Sequence, residues 1–283
     1  MILLKTKLKY LLITAALFIL TQSNSRGGGF PVRPGSLTVS ASVSYFFANK
    51  GWDSTSKKSP FALNGQFSSL TYSVNAEYGI SRRFTFVALL PYSMNTYNQS
   101  NFSSRNNGLT DLETGIRYYV ANINLTYYFT IQGTFITPMY TNPNLGYAEN
   151  GAEIKASFAG SGRVLGRNYY FILENGVRQY FGTTGPGQDR YNATFGLTLD
   201  RKFKQQISVS FGGFYSTSSF TKFSVNQATN KNFAFNQASI SYGYSFSKRF
   251  SLFVTGGTFL SGRNTGDGSS ASMAVIVRPF AGI

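Results

Sequence analysis

The sequence contains no cysteine and no histidine, and these two absences narrow its chemistry. Without cysteine, neither a disulfide scaffold nor a thiolate metal site can form. Without histidine, the commonest general base and the commonest zinc ligand are missing. The sequence therefore predicts no cofactor, no metal site and no enzyme activity. A serine–lysine pair stays open as an alternative, although no feature of the sequence selects one.

Acidic residues and long apolar runs are also scarce. The chain has 10 Asp and Glu against 26 Lys and Arg, which gives a formal net charge of +16. Beyond the N-terminus no stretch approaches the ~18 consecutive apolar residues of a membrane-spanning helix. Nucleic-acid binding would require the cations in one patch with aromatic residues between them. Here the cations fall at predicted turns, so no nucleic-acid partner is expected.

The first 25 residues have the pattern of a secretory signal peptide. Lys5, Lys7 and Lys9 form a charged region, residues 10–20 form a short apolar region, and small residues at 23 and 25 precede a cut before Arg26. This apolar region is too short to span a bilayer comfortably. We therefore expect residues 1–25 to direct export and residues 26–283 to form the mature domain.

The mature chain alternates apolar and polar residues with a period of two. Leu37, Val39, Ala41 and Val43 fall between serines and threonines, and later stretches repeat the pattern. Such alternation predicts strands with one apolar and one polar face. About twelve strands are predicted, at 37–47, 70–80, 84–92, 112–120, 125–135, 152–158, 169–181, 191–199, 207–214, 238–246, 250–259 and 271–280. Pro91 and Pro279 lie in strand ends and predict lost ladder bonds there.

The connections between the predicted strands alternate between long and short. Long polar segments at 49–64, 98–108, 138–150 and 217–230 contrast with tight turns at 81–83, 122–124 and 247–249. A further Gly-rich loop is expected at 261–268. Because a chain in hydrocarbon must pair every backbone amide internally, only a closed ring of strands can cross the membrane. We predict an all-β fold: a transmembrane antiparallel up-and-down barrel in the cell outer membrane of a Gram-negative cell. Its short turns would face the periplasm. An exported soluble β-protein is the alternative.

Several motifs between residues 78 and 120 resemble a family of outer-membrane transporters, that of the MetA pathway of phenol degradation. They are a short basic turn, "SRRFTF" (81–86), an apolar-Pro-Tyr signature at 90–92, and "GLTDLETGIRYYV" (108–120). The resemblance implies a barrel that passes small, often hydrophobic or aromatic, molecules across the outer membrane. The alternative function is a non-conducting structural or adhesive barrel that acts through its outer loops.

Charged residues on the predicted polar faces are the candidates for a lumen constriction. Glu113 and Arg117 lie four residues apart on one strand, and Glu174 and Arg178 repeat that spacing. Opposed charges in a lumen can set a constriction and select among polar solutes. They can also be ion-pair ladders that stabilise the wall, and both interpretations stay open. The candidates are Glu113, Arg117, Glu153, Lys155, Glu174 and Arg178.

The short-turn end of the predicted barrel is strongly basic. Its turns carry Arg82, Arg83, Arg163, Arg167, Arg201, Lys202, Lys204, Lys248 and Arg249, with Asp200 as the one acidic residue among them. A positive mouth could attract anionic solutes or periplasmic partners, or simply touch lipid headgroups. The expected partners are outer-membrane lipid and lipopolysaccharide, small-molecule solutes and the barrel-assembly machinery. Trp52, the single tryptophan, is placed in the first long loop, where packing is favoured over ligand binding.

Overall fold

The structure is a computed structural model that describes residues 29–202, 204–226 and 228–279. The predicted signal peptide, 1–25, lies outside these residues and stays a prediction. Among the described residues, no helix has the length and apolar character needed to cross a membrane. The described part of the chain is almost entirely β-strand, with one short 3-10 turn at Ala62–Asn64.

Within the described residues, fourteen strands, β1 to β14, form one sheet. In chain order they are β1 (Leu37–Trp52), β2 (Lys58–Pro60), β3 (Gln66–Gly79), β4 (Phe84–Gln99), β5 (Phe102–Leu109), β6 (Asp111–Ile123), β7 (Tyr127–Pro138), β8 (Gly151–Val164), β9 (Arg167–Tyr180), β10 (Gly187–Thr198), β11 (Gln205–Thr217), β12 (Phe233–Ser245), β13 (Phe250–Arg263) and β14 (Thr265–Val277). β2 is a short addition to β1, and β5 continues β6 beyond Thr110. If β2 is left aside and β5 and β6 are counted as one, the barrel wall consists of twelve long strands, which we call staves. The sequence predicts the same number.

The wall closes on itself because β14 pairs with β1 in an antiparallel register from Val39–Val277 to Trp52–Thr265. Each stave pairs with the one before it in the chain, so the topology is up-and-down. Wall strands run from 12 residues in β7 to 16 in β1. That length exceeds the ~9–11 residues that a tilted strand needs to cross a bilayer. The predicted closed barrel is confirmed.

The two faces of the wall have opposite chemistry. Large apolar side chains point outward: Ile154 is 68% exposed and Val177 is 61% exposed. Small polar side chains point inward, where Thr85 is 0% exposed and Thr130 is 1% exposed. A water-soluble sandwich would bury the apolar rows instead. The inversion is what an outer-membrane barrel requires, because the outward rows then face lipid.

Two predicted loops are strand in the structure. Residues 98–108 contain the end of β4, a two-residue turn and all of β5 but Leu109, and residues 261–268 lie almost entirely in β13 and β14. These strands were not predicted because they lie beyond the lipid-facing apolar belt, where their side chains are polar and the apolar alternation is absent. Pro91 lies within β4, where the neighbour of β4 changes from β6 to β5. Leu90 and Pro91 have no register partner on that side, where the Pro91 carbonyl accepts a hydrogen bond from the Thr110 amide at 3.0 Å. The lost ladder bonds predicted at Pro91 are confirmed, whereas Pro279 follows β14 and interrupts no strand.

Candidate functional site: the barrel lumen

The lumen carries a band of ionised side chains across one sector of the wall, from β3 to β10. We call this band the charged arc. Its cations and carboxylates nearly balance, and its members are Glu77, Asp111, Glu113, Arg117, Glu153, Lys155, Glu174, Arg178 and Arg190. All six predicted constriction residues belong to it, and all point into the lumen as the alternation predicts.

Arg178 of β9 is the centre of the charged arc. Its Nε donates to Glu153 Oε2 on the neighbouring β8 at 2.8 Å. Its Nη2 donates to Glu113 Oε1 of β6 at 2.8 Å, across the inner faces of β7 and β8. Arg190 of β10 joins the same carboxylate of Glu153 at 2.9 Å. Arg178 is only 4% exposed, so its charge is compensated by these two carboxylates rather than by water.

A second part of the charged arc lies on β3, β6 and β7. Arg117 Nη2 contacts Glu77 Oε1 at 3.0 Å. Arg117 Nε donates to Gln132 Oε1 at 3.1 Å, so its guanidinium is held from two sides. On β8 and β9, Lys155 Nζ lies 3.3 Å from Glu174 Oε1. The Lys155–Glu174 pair joins neighbouring strands, whereas the Glu77–Arg117 pair crosses the inner face of β4, which lies between β3 and β6.

The arrangement of partners differs from the one that sequence spacing suggests. Glu113 and Arg117 do not pair with each other, because residues four apart on a strand lie about 13 Å apart. Each pairs instead with a residue on another stave. Arg190 was missed because the predicted strand began one residue later, at Tyr191, although the alternation continues back to it.

A small cavity lies against the charged arc. A cavity of about 20 Å³ is lined by Glu77, Glu113, Arg117 and Lys155, among others. A volume of this size holds roughly one water molecule. Among the described residues, no group of three acidic side chains lies close enough together to hold a metal ion.

A different sector of the lumen is filled by aromatic rings. We call it the aromatic cluster; its buried members are Phe46, Ala48, Trp52, Phe67, Phe233, Phe235 and Phe259, with Phe61, Tyr97, Phe214 and Val225 packed against them. These residues lie at the long-loop end of β1, β3 and β11 to β13. Phe235 and Phe259 stack with ring centroids 4.1 Å apart. Sequence reasoning did not identify this cluster, and it placed Trp52 in a loop, whereas Trp52 ends β1 and is packed inside.

Arg190 lies at the junction of the charged arc and the aromatic cluster. Its Nη1 contacts Glu153, and its guanidinium carbon lies 4.7 Å from the centroid of the Phe214 ring. Phe214 in turn stacks on Phe233 at 5.2 Å. The Arg190 side chain therefore contacts a carboxylate of the charged arc on one side and a ring of the aromatic cluster on the other.

Two long loops, 139–150 and 218–232, meet over the mouth at the same end. The Tyr147 hydroxyl donates to the Asn230 carbonyl at 2.6 Å, and Lys231 Nζ lies 3.0 Å from Glu149 Oε1. The Tyr147 ring packs edge-on against Tyr180 inside the wall at 4.7 Å. Burial raises the pKa of Tyr147 above its ordinary value, so its hydroxyl keeps its proton and remains a donor at neutral pH. The loops are thus tied to each other and to the lumen.

The opposite mouth is covered by the segment before β1. The Phe30 carbonyl accepts a hydrogen bond from the Tyr119 hydroxyl at 2.5 Å, and the Phe30 ring contacts Tyr128 at 5.8 Å. Gly29 is buried against Ala159: a Cβ at Gly29 would lie 2.6 Å from the Cβ of Ala159. The segment therefore enters the lumen from the short-turn end before turning back into β1.

The fold of this barrel is found among solved outer-membrane proteins. The COG4313 outer membrane channel from Pseudomonas putida F1 matches with a TM-score of 0.70 and 10% identity, over 90% of this chain and 100% of that chain. This chain has the fold of an outer-membrane channel. The channel from Pseudomonas putida F1 is in the MetA-pathway family that the sequence motifs resemble, so the fold implied by that resemblance is confirmed. The transport unit of the autotransporter AIDA-I from Escherichia coli matches more distantly, with a TM-score of 0.52, 8% identity and coverage of 93% and 94%.

No family model and no curated protein matches the sequence. One further structural match, LpxR from Salmonella typhimurium, has 12% identity, a TM-score of 0.45 and coverage of 85% and 99%. The prediction that the chain is not an enzyme is wrong as an exclusion: missing histidine removes one catalytic design, and neither that absence nor the barrel fold decides enzyme status.

Proposed function

We propose that this protein is an outer-membrane channel for small molecules, and that its solutes include apolar or aromatic ones. The barrel fold that it shares with an outer-membrane channel supports the general role. The aromatic cluster supports the solute class. A pore that passes only polar solutes has no use for such a cluster, because aromatic rings offer a polar solute few hydrogen bonds in place of its water.

The observation that carries the proposal is the position of the aromatic cluster inside the lumen wall. Phe46, Trp52 and Phe259 occupy inward positions that elsewhere in the barrel hold serine, threonine or charge. An aromatic solute can exchange contacts with these rings, and each ring contact is worth about 0.5–1.5 kcal/mol. Binding of this strength concentrates a solute without holding it permanently.

A passing solute would meet three regions in turn. The tied outer loops restrict entry, the aromatic cluster binds the apolar part, and the charged arc limits what can accompany it. The cavity beside the charged arc is about 20 Å³, so a solute larger than water that enters it must displace the neighbouring side chains. The mechanism is therefore facilitated diffusion through a narrow route, driven by the solute gradient.

Trp52 provides a direct test because it is the single tryptophan and lies within the cluster. Nitrobenzene, an apolar quencher, should reduce its fluorescence saturably in the lipid-embedded protein, whereas acrylamide should quench weakly. Phe259→Ala should weaken the nitrobenzene affinity about tenfold, because the solute loses one ring contact of about 0.5–1.5 kcal/mol. Phe211→Ala, which removes a lipid-facing ring, is the matched control and should leave the affinity unchanged.

Partition of nitrobenzene into the bilayer is measured with Trp52→Phe/Phe211→Trp, in which the reporter faces lipid. Linear quenching there and saturable quenching at Trp52 would support a lumen site. If both positions quench alike, the aromatic cluster does not bind the solute and the proposed solute class is wrong.

A closed, structural barrel is the second candidate, and the small cavity is the observation that favours it. Planar-bilayer recording separates the two. Unitary current steps are expected for a channel, whereas a closed barrel would insert without conductance steps.

A further inference from the structure

We infer that the short-turn end of the barrel is a binding surface for the anionic phospholipid headgroups of the periplasmic leaflet. The inference is independent of what passes through the lumen. It rests on the distribution of charge, on two identical turns, and on the placement of their cations beside the lipid-facing aromatic side chains.

The net charge of the barrel is concentrated at this end. In the charged arc, four cations face five carboxylates, so the charged arc contributes almost nothing to the net positive charge. The short turns carry nine Lys and Arg against one carboxylate, that of Asp200. All nine side chains belong to exposed residues. Like charges on a ring of turns repel one another, so counter-charges from outside the barrel would stabilise this ring.

Two of these turns have the same construction. At the β3–β4 turn, Ser81 Oγ accepts from the backbone amides of Arg83 and Phe84 at 3.2 and 3.1 Å. At the β12–β13 turn, Ser247 Oγ accepts from the amides of Arg249 and Phe250 at the same 3.2 and 3.1 Å. The serine holds the backbone in both cases. The turn geometry therefore depends on the serine and on backbone amides, and the two basic residues at each tip are exposed.

The cations lie at the level where the wall leaves lipid. Arg83 Nη1 donates to the Tyr118 hydroxyl at 3.2 Å, and Tyr118 points outward from β6 against Phe84, with ring centroids 5.0 Å apart. Beside the second turn, the outward rings of Phe246 and Phe250 lie 5.4 Å apart. Aromatic rings of this kind sit at the headgroup level of a bilayer. A guanidinium at that level meets phosphate oxygens, which it can bind through two parallel hydrogen bonds.

The occupant is a lipid rather than a dissolved anion because the cations adjoin the outer wall. Arg83 is directed toward lipid-facing Tyr118, not into the lumen. A soluble anion that passes through the barrel would contact cations that line the mouth of the lumen. A lipid headgroup would instead contact cations on the outer side of the wall. Each cation near an anionic membrane surface strengthens attachment about fivefold.

The test compares lipid retention by native mass spectrometry of the detergent-solubilised full-length barrel. The probes are phosphatidylglycerol and phosphatidylcholine with the same acyl chains. The variant Arg82→Gln/Arg83→Gln/Lys248→Gln/Arg249→Gln removes the twin cation pairs, and Lys57→Gln/Lys222→Gln removes two exposed cations at the long-loop end. Heat-shifted mobility in gels verifies that each variant is folded.

We expect the unaltered barrel to retain phosphatidylglycerol in preference to phosphatidylcholine. The four-residue variant should lose at least tenfold of this preference, each two-residue turn variant should lose part of it, and the long-loop control should keep it. Equal retention of the two lipids, or an equal loss in the control, would overturn the inference. Displacement of the lipid by inorganic phosphate would show a soluble anion site instead, and preferential binding of polyglutamate would show a site for an acidic macromolecule.

Discussion

The charged arc and the aromatic cluster occupy the same kind of position, the inward residues of alternating strands, yet they are stabilised differently. In the charged arc, each buried charge depends on a named partner, as Arg178 depends on Glu113 and Glu153. In the aromatic cluster, Phe235 and Phe259 share contacts with several rings. Loss of one charged side chain therefore leaves an uncompensated ion, whereas loss of one ring leaves a space. The barrel fold determines which positions point inward, but the side chains at those positions determine whether ion pairs or ring packing stabilises the interior.

Arg178→Met should produce the largest effect on stability. It leaves Glu113 and Glu153 buried without their main cation, and loss of one partner of a buried ion pair costs about 3–5 kcal/mol. Urea unfolding in lipid vesicles measures the change. The further substitutions Glu113→Gln and Glu153→Gln should recover most of it. An Arg178→Met barrel as stable as the unaltered one would show that the charged arc does not hold the wall together.

Arg190→Leu acts at the junction of the two regions and should have a smaller effect. The substitution removes one contact to Glu153 and one cation–π contact to Phe214, but Arg178 still compensates Glu153. We expect a loss of about 1–2 kcal/mol in the same unfolding assay. Arg105→Leu, on the exposed β5, is the matched control and should change stability by less than about 0.5 kcal/mol. A loss as large as that of Arg178→Met would show that the junction, rather than Arg178, is the centre of the network.

Lys155→Gln should have the smallest effect on stability and should instead change selectivity. The amide can still donate to Glu174, but the charged arc is left with three cations against five carboxylates. In planar bilayers under a salt gradient, the cation-to-anion permeability ratio should rise about twofold. Lys222→Gln, in an outer loop, should leave the ratio unchanged. If both variants behave alike, the lumen charges are structural ladders only.

Most of the fold could be predicted from the sequence because one period governs every stave. The alternation at Val39, Ala41 and Val43 assigns each side chain to lipid or lumen without knowledge of its neighbours. The inward direction of Glu113 and Arg178 followed from the same rule. Their contact with each other did not, because it crosses the inner faces of β7 and β8 and depends on how the wall curves.

The aromatic cluster was the principal feature that the sequence did not reveal. Phe233 and Phe235 fell between the predicted loop at 217–230 and the predicted strand at 238–246, because polar residues separate them from the next apolar row. Phe46 is inward by alternation, but it stands beside Tyr45 and Phe47, which face lipid. A register shift between Ala48 and Lys50 on β1 and another between Asn236 and Gln237 on β12 further interrupt the pattern where the cluster forms. Aromatic residues on both faces cannot be sorted by hydrophobicity alone.

The pairing of β14 with β1 has a consequence for assembly. β1 cannot complete its pairing until β14 has been synthesised. Until then the sheet has two long edges whose backbone N–H and C=O groups are unpaired. Such an intermediate can neither enter hydrocarbon by itself nor remain safely in water. The chain should therefore insert as a complete unit under the protection of other proteins, and truncation before Thr265 should abolish the whole barrel rather than shorten it.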